Sequence, residues 1–289
     1  MLTPSLVFIL RRRFFLSSIG IIFARMINRI IKAAFFDIDG TLVSFSSHQV
    51  PSSAVRAISR LQNAGVKCFI SSGRHISNID NLGDLKFDGY VTVNGGMTFF
   101  NGRLIDSNPI CHSDVATMIS MISPGGDYDG MAVSFVLKDG LVMNVQNEKT
   151  DAVFRQLKFN IMPRMVDPLS IGEQDVFQLI SFFSPDLEPS ILSRLPFCES
   201  QRWSPVFTDV VPSGQSKVRG MAKICDYLNI TPDELIAFGD GGNDVAMLRF
   251  AGLGVAMGNA DQCVKNQADL VCPSVDEDGI DWTVSQLVL

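Results

Sequence analysis

Two aspartates one residue apart, Asp37 and Asp39, follow the first apolar segment in the stretch AAFFDIDGTLV at residues 33–43. Carboxylates can attack an electrophilic centre, bind a hard cation or transfer a proton. Adjacent side chains of a strand face opposite ways, but a turn begun by Gly40 can bring the i and i+2 carboxylates to one ligand from two sides. Taken alone, the pair is also compatible with an ordinary Asx turn.

Polar groups suited to phosphate chemistry follow three other apolar segments of the chain. They are Ser71, Ser72 and Arg74 after the second segment, Asn94, Gly95 and Gly96 after the third, and Asp240, Asn243 and Asp244 after the segment that ends at Phe238. Each set alone has a simpler explanation, such as a helix cap or a loop of the calcium-binding type. In a parallel sheet, ligands bind outside the carboxyl ends of the strands. Four such sets in order along the chain therefore predict one site for a phosphate group.

The apolar segments alternate with helical ones, which predicts an α/β fold with a doubly wound, Rossmann-like parallel sheet. The first strand is predicted at residues 31–36 and the second at 66–70, with a helix between them that is capped by Ser52 or Ser53 and ends at Asn63. After a long interruption, a helix at 216–228 and the strand LIAFGD at 235–240 continue the pattern.

The interruption has the signature of antiparallel pairing. MTFFNGRLI contains an Asn-Gly turn and AVSFVLKDGLVMNV an Asp-Gly turn, each between apolar runs, as in β-hairpins. We therefore expect an inserted α+β domain at residues 112–199, with the parallel-sheet core formed by residues 32–111 and 200–289. Substrate specificity is expected to depend on loops of this insertion.

The charge distribution argues against nucleic acid as a partner. All 30 acidic residues lie after residue 31, together with 19 of the 24 basic residues, so the body of the protein is acidic. Six cysteines without a CxxC pair, and only three histidines, predict reduced, mostly buried thiols in a cytoplasmic protein. No pattern in the sequence indicates an oligomeric state.

The first 31 residues contain five arginines, no acidic residue and two charge-free apolar runs, at residues 1–10 and 14–24. Both runs are shorter than the roughly 20 residues that a membrane-spanning helix needs, and arginines between them do not fit a secretory signal. We expect this segment to lie outside the fold. Met26 is the favoured start of the protein, and a basic amphipathic helix on a membrane surface is the alternative.

The motifs DIDGT, SSGR, the lysine of SGQSK and GDGGNDVAMLRFAGLGVAMGNA, in that order, resemble the four signature motifs of the haloacid dehalogenase (HAD) superfamily. The insertion after the third strand is similar to the C2-type cap domain of the Cof-type phosphatases. The resemblance covers residue 32 to the C-terminus. It implies a Mg²⁺-dependent phosphatase that hydrolyses a small phosphorylated metabolite through an aspartyl-phosphate intermediate.

The resemblance also implies roles for individual residues. Asp37 is expected to be the nucleophile and a metal ligand, and Asp39 the general acid and base, whose main-chain carbonyl also binds the metal. Asp240 is a further metal ligand, which Asp244 supports directly or through water. Lys217 is a catalytic candidate because its charge would offset the negative charge around Asp37. The phosphate group is expected to be bound by Thr41, Ser72 (or Ser71), Gly73, Arg74, Asn94, Gly95 and Asn243.

The sequence leaves the substrate open. A sugar phosphate is the first expectation, followed by a nucleotide, flavin or pyridoxal phosphate. One alternative is a phosphoryl transferase similar to phosphomannomutases, and two lie outside the enzymes, namely a phospho-receiver-like module and a degenerate binding module. The receiver is disfavoured by the aspartate at i+2 and by the insertion, and the degenerate module by the intact motif positions.

Overall fold

A computed structural model of the chain describes residues 30–156, 162–202 and 204–287. Its strands are β1 Ala33–Phe36, β2 Lys67–Ser71, β3 Gly89–Thr92, β4 Met97–Phe100, β5 Arg103–Ser107, β6 Val133–Leu137, β7 Gly140–Met143, β8 Arg164–Met165, β9 Val176–Ser181, β10 Cys198–Gln201, β11 Thr208–Pro212, β12 Leu235–Gly239, β13 Leu253–Ala256 and β14 Leu270–Val271. Its helices are α1 Ser52–Asn63, α2 His112–Ile122, α3 Glu148–Gln156, α4 Glu188–Leu192, α5 Lys217–Leu228, α6 Val245–Phe250, α7 Gln262–Lys265 and α8 Gly279–Val284. Met26, the favoured start, lies outside the described residues.

The described residues form two compact units. The first unit contains residues 30–71, 81–89 and 224–287, and the second contains the described residues of 72–80 and 90–223. The predicted domain boundaries, with an insertion at 112–199, stay a prediction.

Five parallel strands form the sheet of the first unit, in the order β14-β13-β12-β1-β2. Phe36 of β1 lies opposite Phe238 of β12, and their rings stack with centroids 5.1 Å apart. Phe35 and Phe69 stack in the same way at 4.9 Å, and all four rings are fully buried. Fully apolar strands of this kind are typical of a parallel sheet that is covered on both faces. The predicted α/β fold with a parallel sheet is confirmed.

Helix α1 buries one face, formed by Ala54, Ala57, Ile58 and Leu61. It ends at Asn63 as predicted, but it begins at Ser52, its N-cap is Pro51 and no side chain caps it, so the predicted cap by Ser52 or Ser53 is wrong. The first unit places α1 beside α8 through an ion pair of 2.7 Å between Arg60 and Asp281.

The second unit contains a six-stranded sheet in the order β10-β11-β9-β6-β7-β8, antiparallel except between β7 and β8. Both predicted hairpins are present, as β4–β5 and β6–β7. The turn of the first is Asn101-Gly102, with φ of 48° and 74°, as a type I′ turn requires. β10 and β11 carry this sheet to Pro212, past residue 199. Helix α2 packs on it through a core that includes Met118, Phe135, Leu179 and Val210.

All six cysteines lie within the described residues and are free. Burial raises the pKa of the Cys68 thiol to about 12 and that of Cys272 to about 11. These thiols therefore remain protonated and unreactive near neutral pH. In the described part of the chain, no helix has the length and apolar character needed to span a bilayer.

Candidate active site

The ends of two neighbouring strands bring three carboxylates together. Asp37 directly follows β1 and Asp240 directly follows β12, and the Asp37 amide donates a hydrogen bond of 3.0 Å to the Phe238 carbonyl. Side-chain oxygens of Asp37, Asp240 and Asp244 all lie within 4.8 Å of one another. We call these three residues the acid cluster. The cluster forms because parallel pairing in register ends both strands at the same level.

Asp244 also stabilises the loop that follows β12. It is fully buried, and its Oδ2 accepts hydrogen bonds of 2.9 Å from the amides of both Asp240 and Gly241. Asp244 ends a short 3₁₀ helix, Gly242–Asp244, that leads into α6. Its carboxylate therefore fixes the loop that carries Asp240. Asn243 lies on the same short helix and is exposed.

The turn after Asp37 is tight and depends on a glycine. Gly40 has φ of +85°, and its amide donates to the Val43 carbonyl at 2.9 Å. A Cβ at this position would lie 2.8 Å from Cγ of Asp240, so the turn packs directly against the cluster. Thr41 also contacts the cluster, because its hydroxyl donates a hydrogen bond of 2.9 Å to Oδ1 of Asp240. Thr41 was predicted to bind the phosphate group, and in the structure its hydroxyl has Asp240 as a partner.

The acid cluster fits a hard divalent cation. Asp37 is only 8% exposed and Asp244 is fully buried, so the like charges are poorly screened by water. Oxygen ligands from carboxylates are the donors that Mg²⁺ takes in proteins. Asp39 is half-buried. Metal binding by its main-chain carbonyl stays a prediction.

Asn259 also contacts the cluster, although it is not among the site residues predicted from the sequence. Its Nδ2 donates to the Gly40 carbonyl at 2.8 Å and to Oδ2 of Asp240 at 3.3 Å. Its Oδ1 accepts from the Val275 amide at 3.0 Å. Asn259 thus joins the glycine turn to the Asp240 loop. The available signal was its position just after β13, which makes it a further polar residue at a strand end.

In the second unit, two loops with predicted phosphate-binding residues are joined by main-chain hydrogen bonds. The Asn94 amide donates to the Ser72 carbonyl at 3.1 Å, and the Val93 amide donates to the Arg74 carbonyl at 3.1 Å. A Cβ on Gly73 would lie 3.3 Å from Oδ1 of Asn94. Ser72, Gly73 and Asn94 are therefore neighbours. Ser71, the alternative to Ser72, is fully buried, and its hydroxyl has no hydrogen-bond partner among the described residues.

The second of these loops is strained. Val93, Asn94 and Gly95 have successive φ values of 53°, 49° and 90°, and a positive φ is a genuine outlier for a β-branched residue such as valine. A Cβ on Gly95 would lie 3.0 Å from the carbonyl carbon of Ser216. This close approach places the loop beside the start of α5, where Lys217 is fully buried.

Side-chain amides hold the strained loop, and no motif in the sequence indicated them. Gln215 is 2% exposed, and its Nε2 donates to the Val93 carbonyl at 2.9 Å. Its Oε1 accepts from Asn108 at 3.1 Å. Gln201 accepts from Nδ2 of Asn94 at 3.3 Å and donates to the Gln215 carbonyl at 2.8 Å. The Asn94 side chain is therefore fixed by a connected set of amides.

Arg74 and His75 continue the first loop. Nη1 of Arg74 donates to the Asn78 carbonyl at 3.0 Å. His75 is buried, and its Nε2 lies 3.3 Å from the Lys138 carbonyl in the β6–β7 turn. Burial lowers the pKa of His75 below its usual value, although hydrogen bonds to the Lys138 and Leu137 carbonyls oppose this shift.

The predicted site residues thus fall into two groups. The first unit holds Asp37, Asp39, Thr41, Asp240, Asn243 and Asp244, and the second holds Ser72, Gly73, Arg74, Asn94, Gly95 and Lys217. Within each group, the contacts above bring most members together.

Comparisons with known proteins agree on one family. A family model described as haloacid dehalogenase-like hydrolase matches residues 34–283. The solved structure of the HAD subclass IIB sugar phosphatase BT4131 has 37% sequence identity and a TM-score of 0.78, and covers 88% of this chain and 98% of its own.

Two Bacillus subtilis proteins are similar over nearly their whole length. YkrA, which carries the name of a phosphatase, is 31% identical over 265 residues, which are 89% of this chain and 98% of YkrA. YcsE, named as a 5-amino-6-(5-phospho-D-ribitylamino)uracil phosphatase, is 27% identical over 266 residues, which are 90% of this chain and 96% of YcsE.

Proposed function

The chain belongs to the haloacid dehalogenase-like hydrolase family, and on this premise we propose that it is a Mg²⁺-dependent phosphatase of small phosphate monoesters. The reaction would pass through an aspartyl-phosphate on Asp37. The observation that carries this proposal is the acid cluster at the ends of β1 and β12. The Gly40 turn, which packs against that cluster, supports it further.

In the first step, a side-chain oxygen of Asp37 attacks phosphorus while the bond from phosphorus to the ester oxygen breaks. The Asp39 carboxyl group donates its proton to the departing oxygen, so that a neutral alcohol leaves. The i and i+2 spacing lets the two carboxylates approach one phosphate from two sides, because the Gly40 turn follows immediately. Mg²⁺ bound by Asp37, Asp240 and Asp244 would neutralise the charge on the phosphate group and so permit attack by an anion.

In the second step, the Asp39 carboxylate takes a proton from a water molecule whose oxygen attacks the same phosphorus. The bond between phosphorus and Asp37 breaks, which releases inorganic phosphate and restores the carboxylate. Ser72 and the amides near Gly73, Asn94 and Gly95 are proposed to bind phosphoryl oxygens, with Arg74 and Asn243 as further candidates. The buried Lys217 ammonium is proposed to offset negative charge during both steps.

The substrate is proposed to be a small phosphorylated metabolite. A sugar phosphate is the first candidate, which is the class named for BT4131. A phosphorylated ribitylaminouracil, as named for YcsE, is the second. Both are soluble monoesters, in agreement with an acidic protein body that disfavours nucleic acid.

The decisive experiment compares Asp37→Asn with the unchanged protein in Mg²⁺-dependent release of phosphate from a panel of sugar, nucleotide and cofactor phosphates. The variant should lose at least about a thousandfold in kcat, because amides are poor nucleophiles. An acid-quenched reaction with radiolabelled substrate should trap phosphoprotein from the unchanged chain and none from the variant.

Asp261→Asn is the matched control, because Asp261 is an exposed aspartate of the first unit whose side chain does not cap α7. It should retain full activity and phosphoprotein formation. Undiminished turnover by Asp37→Asn would overturn the nucleophile. A long-lived phosphoprotein without release of phosphate would instead indicate a receiver-like module.

A further inference from the structure

Phe45 is an exposed aromatic residue in a well-fixed loop. Its side chain is 62% exposed, in a loop that directly follows the Gly40 turn. The Ser44 hydroxyl accepts hydrogen bonds from the amides of Ser46 at 3.0 Å and Ser47 at 3.2 Å. The Ser46 hydroxyl in turn donates to the Asp276 carboxylate at 3.2 Å. The loop is thus anchored on both sides of the ring, although the ring itself buries little surface.

The ring of Phe45 lies beside the acid cluster. A Cβ on Gly40 would lie 2.6 Å from Cε2 of Phe45 and 2.8 Å from Cγ of Asp240. Two atoms that both contact one point are close to each other, so the edge of the ring is next to a proposed metal ligand. An exposed apolar ring beside charged carboxylates gains nothing from those charges. Covering the ring with an apolar surface is favourable, because it removes the apolar area of the ring from water.

We propose that Phe45 determines specificity by packing against a ring in the leaving group of the substrate, so that the enzyme selects phosphate monoesters of ring-bearing alcohols over those of open-chain alcohols. This inference rests on the proposed phosphatase function. The phosphate group itself is repelled by the negative face of an aromatic ring, whereas an aryl, heterocyclic or sugar ring offers apolar C–H surface and flat shape. When the phosphate is held beside the cluster as proposed above, the ring of the alcohol lies within reach of Phe45.

Phe45 belongs to the parallel-sheet unit, whereas the sequence predicted that specificity depends on loops of the insertion. Phe45 follows the nucleophile by eight positions in the same loop system. The position of Phe45 near Asp37 therefore does not depend on the insertion.

The test uses two matched esters, benzyl phosphate and propyl phosphate. Both are phosphates of primary alcohols with similar leaving-group basicity, and they differ mainly in the ring. In Phe45→Ala, kcat/KM for benzyl phosphate should fall about tenfold, mostly through KM, because one aromatic contact is lost. For propyl phosphate it should stay within about twofold. Phe45→Leu, which retains apolar bulk, should give an intermediate loss with benzyl phosphate.

Phe197→Ala is the control, because Phe197 is also 60% exposed and the substitution is identical. It should leave the ratio of the two kcat/KM values unchanged. An equal loss with both esters in Phe45→Ala, or no loss with benzyl phosphate, would overturn the assignment of Phe45 alone. Failure of the unchanged protein to release phosphate from either ester would overturn the proposed function as well.

Discussion

Replacing Gly40 with alanine tests whether the glycine turn holds the acid cluster in place. Two effects oppose a side chain here. The φ of +85° lies in the left-handed region, and the new Cβ would lie 2.8 Å from Cγ of Asp240 and 2.6 Å from the ring of Phe45. Gly65 offers a matched control, because it has φ of +86° and no atom within 4 Å of an added Cβ. The two variants therefore share the backbone cost and differ in the collision.

The expected magnitudes follow from these two terms. A left-handed conformation costs an alanine about 1–2 kcal/mol, and this is partly offset because alanine reduces the entropy of the unfolded chain by about 0.4–1 kcal/mol. Gly65→Ala should therefore lower the free energy of unfolding by about 1 kcal/mol. Overpacking adds about 1–3 kcal/mol, so Gly40→Ala should lose about 2–4 kcal/mol. Displacement of Asp240 should also raise the Mg²⁺ concentration for half-maximal activity by about 10–100-fold.

Urea unfolding measures the free energy of unfolding of each variant, and its slope with urea concentration should be the same in all of them. Titration of phosphate release with Mg²⁺ measures the Mg²⁺ concentration for half-maximal activity. Gly65→Ala should keep the Mg²⁺ dependence of the unchanged protein. Equal losses of stability in the two variants, together with an unchanged Mg²⁺ titration in Gly40→Ala, would refute the role given to this turn.

Three further variants test other contacts. Asn259→Ala should raise the Mg²⁺ concentration for half-maximal activity about tenfold with little loss of stability, since Asn259 is exposed and orients Asp240; an unchanged titration would contradict this. Gln215→Leu should lower the free energy of unfolding by about 1–3 kcal/mol, because it removes two hydrogen bonds, one to the Val93 carbonyl, which keeps only the Gly96 amide, and one from Asn108. It should also raise KM if Asn94 binds phosphate. Burial lowers the pKa of His75, so the folded protein binds fewer protons at this residue than the unfolded chain does. The contribution of His75 to the free energy of unfolding is therefore full above pH 6.5 and is lost as the pH falls from there through the lowered pKa. Urea unfolding between pH 5 and 8 should show this acid loss, and His75→Asn should reduce it.

Much of the fold was predictable because its signals are local. Continuous apolar segments predicted the parallel strands, and Asn101-Gly102 predicted the β4–β5 turn, since few dipeptides adopt positive φ at both positions. The acid cluster was predictable for a related reason. A residue that follows a strand of a parallel sheet lies at its carboxyl edge wherever the strand is placed, so the sequence predicts Asp37 and Asp240 at one edge. The pairing of β1 with β12 in the structure makes them neighbours.

The supporting residues could not be predicted, because each acts between segments that are distant in the chain. Asn259 connects the Gly40 turn, the Asp240 loop and the Val275 amide. Gln215 stabilises the Val93 carbonyl more than 100 residues away. A side-chain amide gives no periodic signal, and asparagine and glutamine are common on surfaces. Only the three-dimensional contacts distinguish these amides from others of the same type.

The hydrogen bonds of the structure distinguish the three aspartates of the acid cluster. The Oδ2 atom of Asp244 accepts hydrogen bonds from two amides, so it is committed to the loop and only its other oxygen could face a cation. Asp240 accepts from Thr41 through Oδ1 and from Asn259 through Oδ2, which fixes its orientation and keeps lone pairs available on both oxygens. Asp37 is placed by the pairing of β1 with β12. The hydrogen bonds therefore show that Asp244 holds the loop, and they favour Asp37 and Asp240 as the first ligands of the proposed cation.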